Sequence, residues 1–214
     1  MKSNTKKIKN LYKKVCKTKK VCVRKHLKTH YKKQNQFGGM SDDDILKTIT
    51  QKKTKMLNVN VIKKDKLNAV YVRMAEKKIS TEILLTNGIA TCMGIGFSFI
   101  DEKNEYQNYL AHLSPIDIDT PETMRKLGDL LDKKKPNSPI FLFRSSGFSK
   151  IDLPVLKLLY EKGLLDNVDV YSLITHIRYY DKNYKLVIKQ INEWDKNYYY
   201  GLNEKGTPIG YYFE

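Results

Sequence analysis

Beyond residue 40 the 214-residue chain holds one cysteine, Cys92, and two histidines, His112 and His176. A thiol and an imidazole within hydrogen-bond reach make a nucleophile with its own base, suited to attack on a carbonyl or carboxamide carbon. Cys92 follows a bend containing Gly88, between two apolar segments, where a side chain can be presented at a sheet edge while nearby backbone N–H groups face a ligand. His112 lies on the next predicted strand, and a two-stranded return brings positions 20 residues apart alongside one another. His176 sits in an apolar-polar alternation and reads as a strand surface residue. The same residue types also suit a small buried cysteine and a strand histidine with satisfied hydrogen bonds.

Local context brings the chemical reading level with the structural one. The segment Thr86-Asn87-Gly88-Ile89-Ala90-Thr91-Cys92, followed by Ala111-His112, resembles the bacterial chemoreceptor glutamine deamidase family, CheD, whose fold is shared with the catalytic domain of cytotoxic necrotizing factor. The family pattern is Thr-x-Gly-x-Gly-Ser-Cys and then Ala-His on the following strand. Thr86, Gly88, Cys92 and His112 match it, whereas Ala90 replaces the second glycine, Thr91 replaces serine, and the Cys-to-His interval is a few residues longer.

The resemblance implies a cysteine-dependent protein-glutamine deamidase that needs no cofactor. His112 would take the proton of Cys92, the thiolate would attack a Gln carboxamide, and ammonia would leave with a proton from His112. Water would then hydrolyse the thioester to Glu. Thr86 would orient the imidazole, and backbone N–H groups near Cys92 would hold the oxyanion, with Gly88 and Thr91 shaping that loop. The implied substrate is a protein with an exposed Gln, and the implied fold is a mixed β-sheet sandwich with two main helices.

Other motifs carry less. Ser145-Ser146-Gly147 ends a predicted strand and could line a substrate cleft, although turn chemistry explains the same residues. Cys16, Cys22, His26 and His30 supply four ligands for tetrahedral zinc at a spacing unlike that of a usual finger. Gly94-Ile95-Gly96 lacks the later glycine of a nucleotide loop.

The elements that must position these residues read as a layered α/β, or α+β, domain over residues 40–214. Ser41 and the aspartates at 42–44 predict a helix to about Lys55, and the alternation in 58–63 and 68–74 predicts a two-stranded meander. Ile83 to Leu85 and Met93 to Ile100 read as a buried strand pair, with Tyr109 to Leu113 as the return. Helices are predicted from Thr120-Pro121 through Leu131 and from Asp152 to Glu161 with Gly163 as C-cap, and strands over 139–144 and 168–174. The Tyr-rich remainder predicts two hairpins, with Trp194 and the tyrosines at 198–200 packed inside them.

Charge divides the chain differently. Residues 1–39 hold 14 Lys and Arg without one Asp or Glu, leaving 26 basic against 23 acidic residues beyond them, so the +17 splits into +14 and +3. Like-charge repulsion predicts a disordered arm, which could engage nucleic acid or another polyanion through counterion release. A second function class therefore stays open, a non-catalytic structural or packaging protein. No apolar run suits a membrane span or a secretory signal, and three scattered cysteines cannot staple a fold, which together point to an intracellular protein. Thirty-five Lys against five Arg, with 15 Asn and 15 Tyr, point to AT-rich codons, as in a large DNA virus, where the protein could be virion-associated.

Overall fold

Residues 39–214 are described by a computed structural model; the basic segment before them, including Cys16, Cys22, His26 and His30, lies outside the described residues. Helix α1 spans Asp42–Thr50, and its first turn carries three aspartates at the end where the helix dipole favours negative charge. Strands β1 (Lys55–Met56), β2 (Val59–Ile62), β3 (Ala69–Tyr71) and β4 (Lys77–Ser80) are short, with a 3-10 turn at Lys64–Lys66. Then come β5 (Ile83–Thr86), β6 (Met93–Ile100), β7 (Tyr106–Leu113), α2 (Pro115–Ile118), α3 (Pro121–Asp132) and β8 (Ile140–Arg144). Helix α4 (Leu153–Glu161) ends at Gly163, whose φ of 66° supplies the left-handed residue that closes a helix. The remaining strands are β9 (Val168–Ser172), β10 (Thr175–Tyr180), β11 (Leu186–Ile191), β12 (Tyr198–Leu202) and β13 (Pro208–Phe213).

These strands form a six-stranded sheet ordered β1-β9-β8-β6-β7-β4, a five-stranded sheet ordered β2-β13-β12-β5-β3, and a separate ribbon of β10 and β11. Strand pleating sorts the side chains. Leu110, Phe141 and Phe143 of the larger sheet share one buried cluster with Leu84, Tyr198, Tyr200 and Leu202 of the smaller, so the two sheets pack face to face. The alternate residues of the larger sheet, Ile95, Phe97, Ile140 and Leu142, are equally buried on its other face. The apolar stripes of α3 and α4, with Leu127, Leu131, Val155 and Leu159 buried, supply the matching third layer. Strands covered on both sides read as nearly continuous apolar runs, which is why β6 and β8 show no polar alternation.

Close approach of the sheets is built on glycine. A Cβ at Gly201 of β12 would overlap the Leu84 carbonyl and come within 3.0 Å of Leu110, and one at Gly96 would meet Leu202 at 3.2 Å.

The architecture agrees with a layered α/β domain, including the β6–β7 hairpin, both helices after residue 120 and the two C-terminal hairpins. Three expectations are corrected. Strands β2 and β3 form no meander: they occupy opposite edges of the smaller sheet, β2 parallel to β13 and β3 parallel to β5. Strands β5 and β6 do not pair, because the bend between them carries the chain from one sheet to the other. The first helix stops at Thr50, five residues early, since Lys55 and Met56 are drawn into parallel pairing with β9. Strand β4, pairing with β7, carried no alternation strong enough to read.

Gly201→Ala forces β12 away from the Leu84 carbonyl of its neighbour β5 and crowds Leu110 of the facing sheet. The expected loss is at least the 1–3 kcal/mol of ordinary core overpacking, read as a lower urea midpoint; an unchanged midpoint contradicts the close-packed geometry.

Candidate active site

The β6–β7 register sets the first two residues. Gly94 lies directly opposite His112, and Cys92, just before β6 and two positions earlier than Gly94, falls on the same side of the pleat. Cys92 shares the intersheet cluster with Leu110, which lies two residues before His112 on β7. Sulfur and ring are thus on one face of the sheet. A side chain at Gly94 would meet Ile89 at 2.7 Å and Phe143 at 3.0 Å, so the position facing His112 has no room for one.

The third residue comes from the other sheet. Thr86 ends β5 on the same pleat face as Leu84, and its Oγ1 lies 2.9 Å from His112 Nδ1. Both residues are buried, and His112 Nε2 has no hydrogen-bond partner. Burial depresses the His112 imidazole below its ordinary 6.5, with Asp117 acting weakly in the opposite direction. Burial likewise pushes the Cys92 thiol up from its ordinary 9.0, opposed by a hydrogen bond with Thr91 and by the Arg144 charge. Both shifts favour the uncharged forms, a neutral thiol and a neutral imidazole.

The loop from 87 to 92 is held from three directions. Gly88 takes a φ of 69°, the left-handed region where glycine carries no steric penalty. Ile89 N–H donates to the buried Tyr200 hydroxyl at 2.8 Å, and Tyr200 pairs with Thr86 across β12 and β5. Ser145 Oγ donates to the Ala90 carbonyl at 2.8 Å. Ala90 is not among the residues of positive φ, so alanine fits where the family pattern has glycine. Ser146 is exposed.

Arg144, last residue of β8, is the strongest element absent from the sequence reading. Its Nη1 donates to the carbonyls of Thr91 and Cys92 at 2.8 and 2.5 Å, while Nη2 pairs with Asp152 Oδ2 at 3.1 Å. Arg144 is 5% exposed and Asp152 fully buried. Asp152 also accepts from Ser149 N–H in a capping box before α4. A lone arginine closing the apolar run Ile140-Phe141-Leu142-Phe143 was the available signal, since a charge at the end of a buried strand needs a buried partner. Asp117 was missed too: four residues beyond Leu113, it caps α2 by accepting from Ser114 N–H at 2.9 Å, and its charge reaches both Cys92 and His112.

His176 is exposed on β10, as expected of a surface strand residue. Trp194 is 73% exposed and does not pack inside a hairpin; Tyr198 and Tyr200 do fill the core, because only alternate residues of β12 face inward. Among the described residues no group of three or more His, Cys, Asp or Glu could hold a metal ion. No helix among them is long and apolar enough to cross a membrane.

Two measurements check this geometry. Alkylation of the Cys92 peptide, followed by mass spectrometry, is expected to accelerate with a midpoint above pH 9.0; a plateau reaching down to neutral pH contradicts the neutral pair. Arg144→Met strands the Asp152 carboxylate and is expected to cost about 3–5 kcal/mol in chemical denaturation, against less than about 1 kcal/mol if the pair were solvated. No family model matches the chain, and no curated protein matches it.

Proposed function

We infer that the protein is a cysteine-dependent protein-glutamine deamidase of CheD-like fold. The single observation that carries this reading is the buried contact between Thr86 Oγ1 and His112 Nδ1, made across two sheets, with Nε2 left unpartnered on the face that also holds Cys92.

The tautomer follows from the cost of orphaned donors. If Nδ1 carries the hydrogen and donates to Thr86, Nε2 presents a lone pair; the opposite tautomer leaves a buried N–H without an acceptor. With the lone pair on Nε2, His112 removes the Cys92 proton as sulfur attacks the carboxamide carbon. The C–N bond breaks as the imidazolium returns that proton to the departing ammonia. Water, deprotonated by the same nitrogen, cleaves the thioester to release Glu and restore the thiol. Asp117 favours the transient imidazolium through its charge.

Arg144 supplies the complement. In a planar trans peptide the C=O and N–H point opposite ways, so anchoring the Thr91 carbonyl on the guanidinium turns the Cys92 N–H away from it, as a donor for the oxyanion. Thr86 acts as a positioning residue, because its contact is with the ring and not with the reacting atoms.

The test uses a denatured, Gln-rich protein as generic substrate, with ammonia release and the mass gain of Gln-to-Glu conversion as readouts. Cys92→Ala is expected to abolish both, His112→Gln to reduce turnover about 100-fold or more, and Thr86→Val about 10- to 100-fold. The acid limb of kcat/KM is expected below pH 6.5, since His112 must be neutral and its environment holds it below that value. Ammonia release unaffected by Cys92→Ala removes the deamidase reading, and a complete lack of turnover by the wild-type chain on a panel of Gln-bearing proteins returns Cys92 to the role of a core residue.

A further inference from the structure

The ribbon of β10 and β11 is unlike the rest of the described fold. It pairs with neither large sheet: its two strands hydrogen-bond as strands only with each other. One face is buried through Ile177 and Ile191, which join the intersheet cluster. The other, by register and alternation, shows Arg178 opposite Ile188 and Tyr180 opposite Leu186. Tyr184 stands 89% exposed in the turn between the strands, and Trp194 73% exposed just beyond β11.

Charge is concentrated in the same place. Residues 174–191 hold four basic residues and one acidic, a balance of +3, while the other 22 basic and 22 acidic residues after position 39 cancel. Carried on through Trp194 to Lys196, which adds Glu193, Asp195 and Lys196, the stretch still holds +2 of that +3. Its single acid, Asp181, is occupied in the turn, accepting from the N–H groups of Asn183 and Lys185 at 2.9 Å. Lys189 is committed to Asp195, whereas Arg178, Lys182 and Lys185 form no ion pair among the described residues.

We propose that this ribbon is a binding platform for single-stranded nucleic acid, with Tyr180, Tyr184 and Trp194 stacking bases and Arg178, Lys182 and Lys185 meeting phosphates. Exposed rings interleaved with unpaired cations are what a flexible strand of stacked bases and regularly spaced negative charge requires, and stacking tolerates any base. Six residues of ribbon at ~3.3 Å each span about 20 Å, room for several nucleotides. A protein partner would be served by the exposed Leu186 and Ile188, but it would not require most of the positive surplus to sit beside three exposed aromatic rings. The platform is independent of Cys92 chemistry and distinct from the basic segment before residue 39.

The chain's single tryptophan makes the test direct. The full chain is titrated with a labelled oligothymidylate of about 15 nucleotides, with anisotropy for affinity and Trp194 emission for contact, and with heparin as a polyanion lacking bases. The proposal expects Trp194 quenching, a loss of about fivefold or more in oligothymidylate affinity for Tyr180→Ser and for Tyr184→Ser, and unchanged heparin binding by both variants. Both substitutions are at exposed positions, and unaltered thermal melts confirm folding. Binding that depends on residues 1–38 alone, with Trp194 emission unmoved and the tyrosine variants at full affinity, overturns it. So does a chain dimer in sedimentation that is dispersed by Ile188→Lys while oligothymidylate binding stays absent.

Discussion

The Thr86–His112 contact is the interaction on which the site depends, because it is made between two sheets and not within one. Thr86 belongs to the five-stranded sheet and His112 to the six-stranded sheet, so a 2.9 Å separation between them records how closely the layers approach. That approach rests on small residues at defined points: Gly201 against Leu110, and Gly96 against Leu202. Tyr200 then couples the same strand pair to the loop before Cys92, since it pairs with Thr86 and accepts the Ile89 N–H. Core packing and site geometry are thus one problem, solved by the same glycines and tyrosines.

Burial governs the chemistry. In a low-dielectric setting both the thiolate and the imidazolium are disfavoured, so in the proposed reaction proton transfer would accompany attack. Arg144 partly offsets this through its charge, while its Nη1 fastens the carbonyls on either side of the Cys92 amide. A guanidinium buried for that purpose needs a carboxylate, and Asp152 supplies it from the start of α4. The helix layer is connected to the cysteine through one side chain.

The parts of this arrangement legible in the sequence were those encoded locally. The β6–β7 return follows from apolar runs separated by Asp101-Glu102-Lys103-Asn104, and it places Cys92 near His112. Helix α3 was marked by Thr120-Pro121, and the end of α4 by Gly163. What could not be read was partnership between sheets. Strand β5 reads the same whether it pairs with β6 or lies in another layer, because both settings bury all of Ile83, Leu84, Leu85 and Thr86. Edge strands β2 and β3 show the alternation of a meander, yet their parallel partners lie far along the chain. Arg144 and Asp152 were overlooked because a buried ion pair leaves no periodic trace.

The most direct measurement is the tautomer of His112 in the intact chain, read from long-range proton–nitrogen NMR correlations near neutral pH, with His112→Gln to assign the signal. The ring is expected to be neutral and to bear its hydrogen on Nδ1, donated to Thr86, with Nε2 unprotonated and available to Cys92. A neutral ring protonated at Nε2, or an imidazolium, would contradict that expectation, since neither leaves a base facing the thiol.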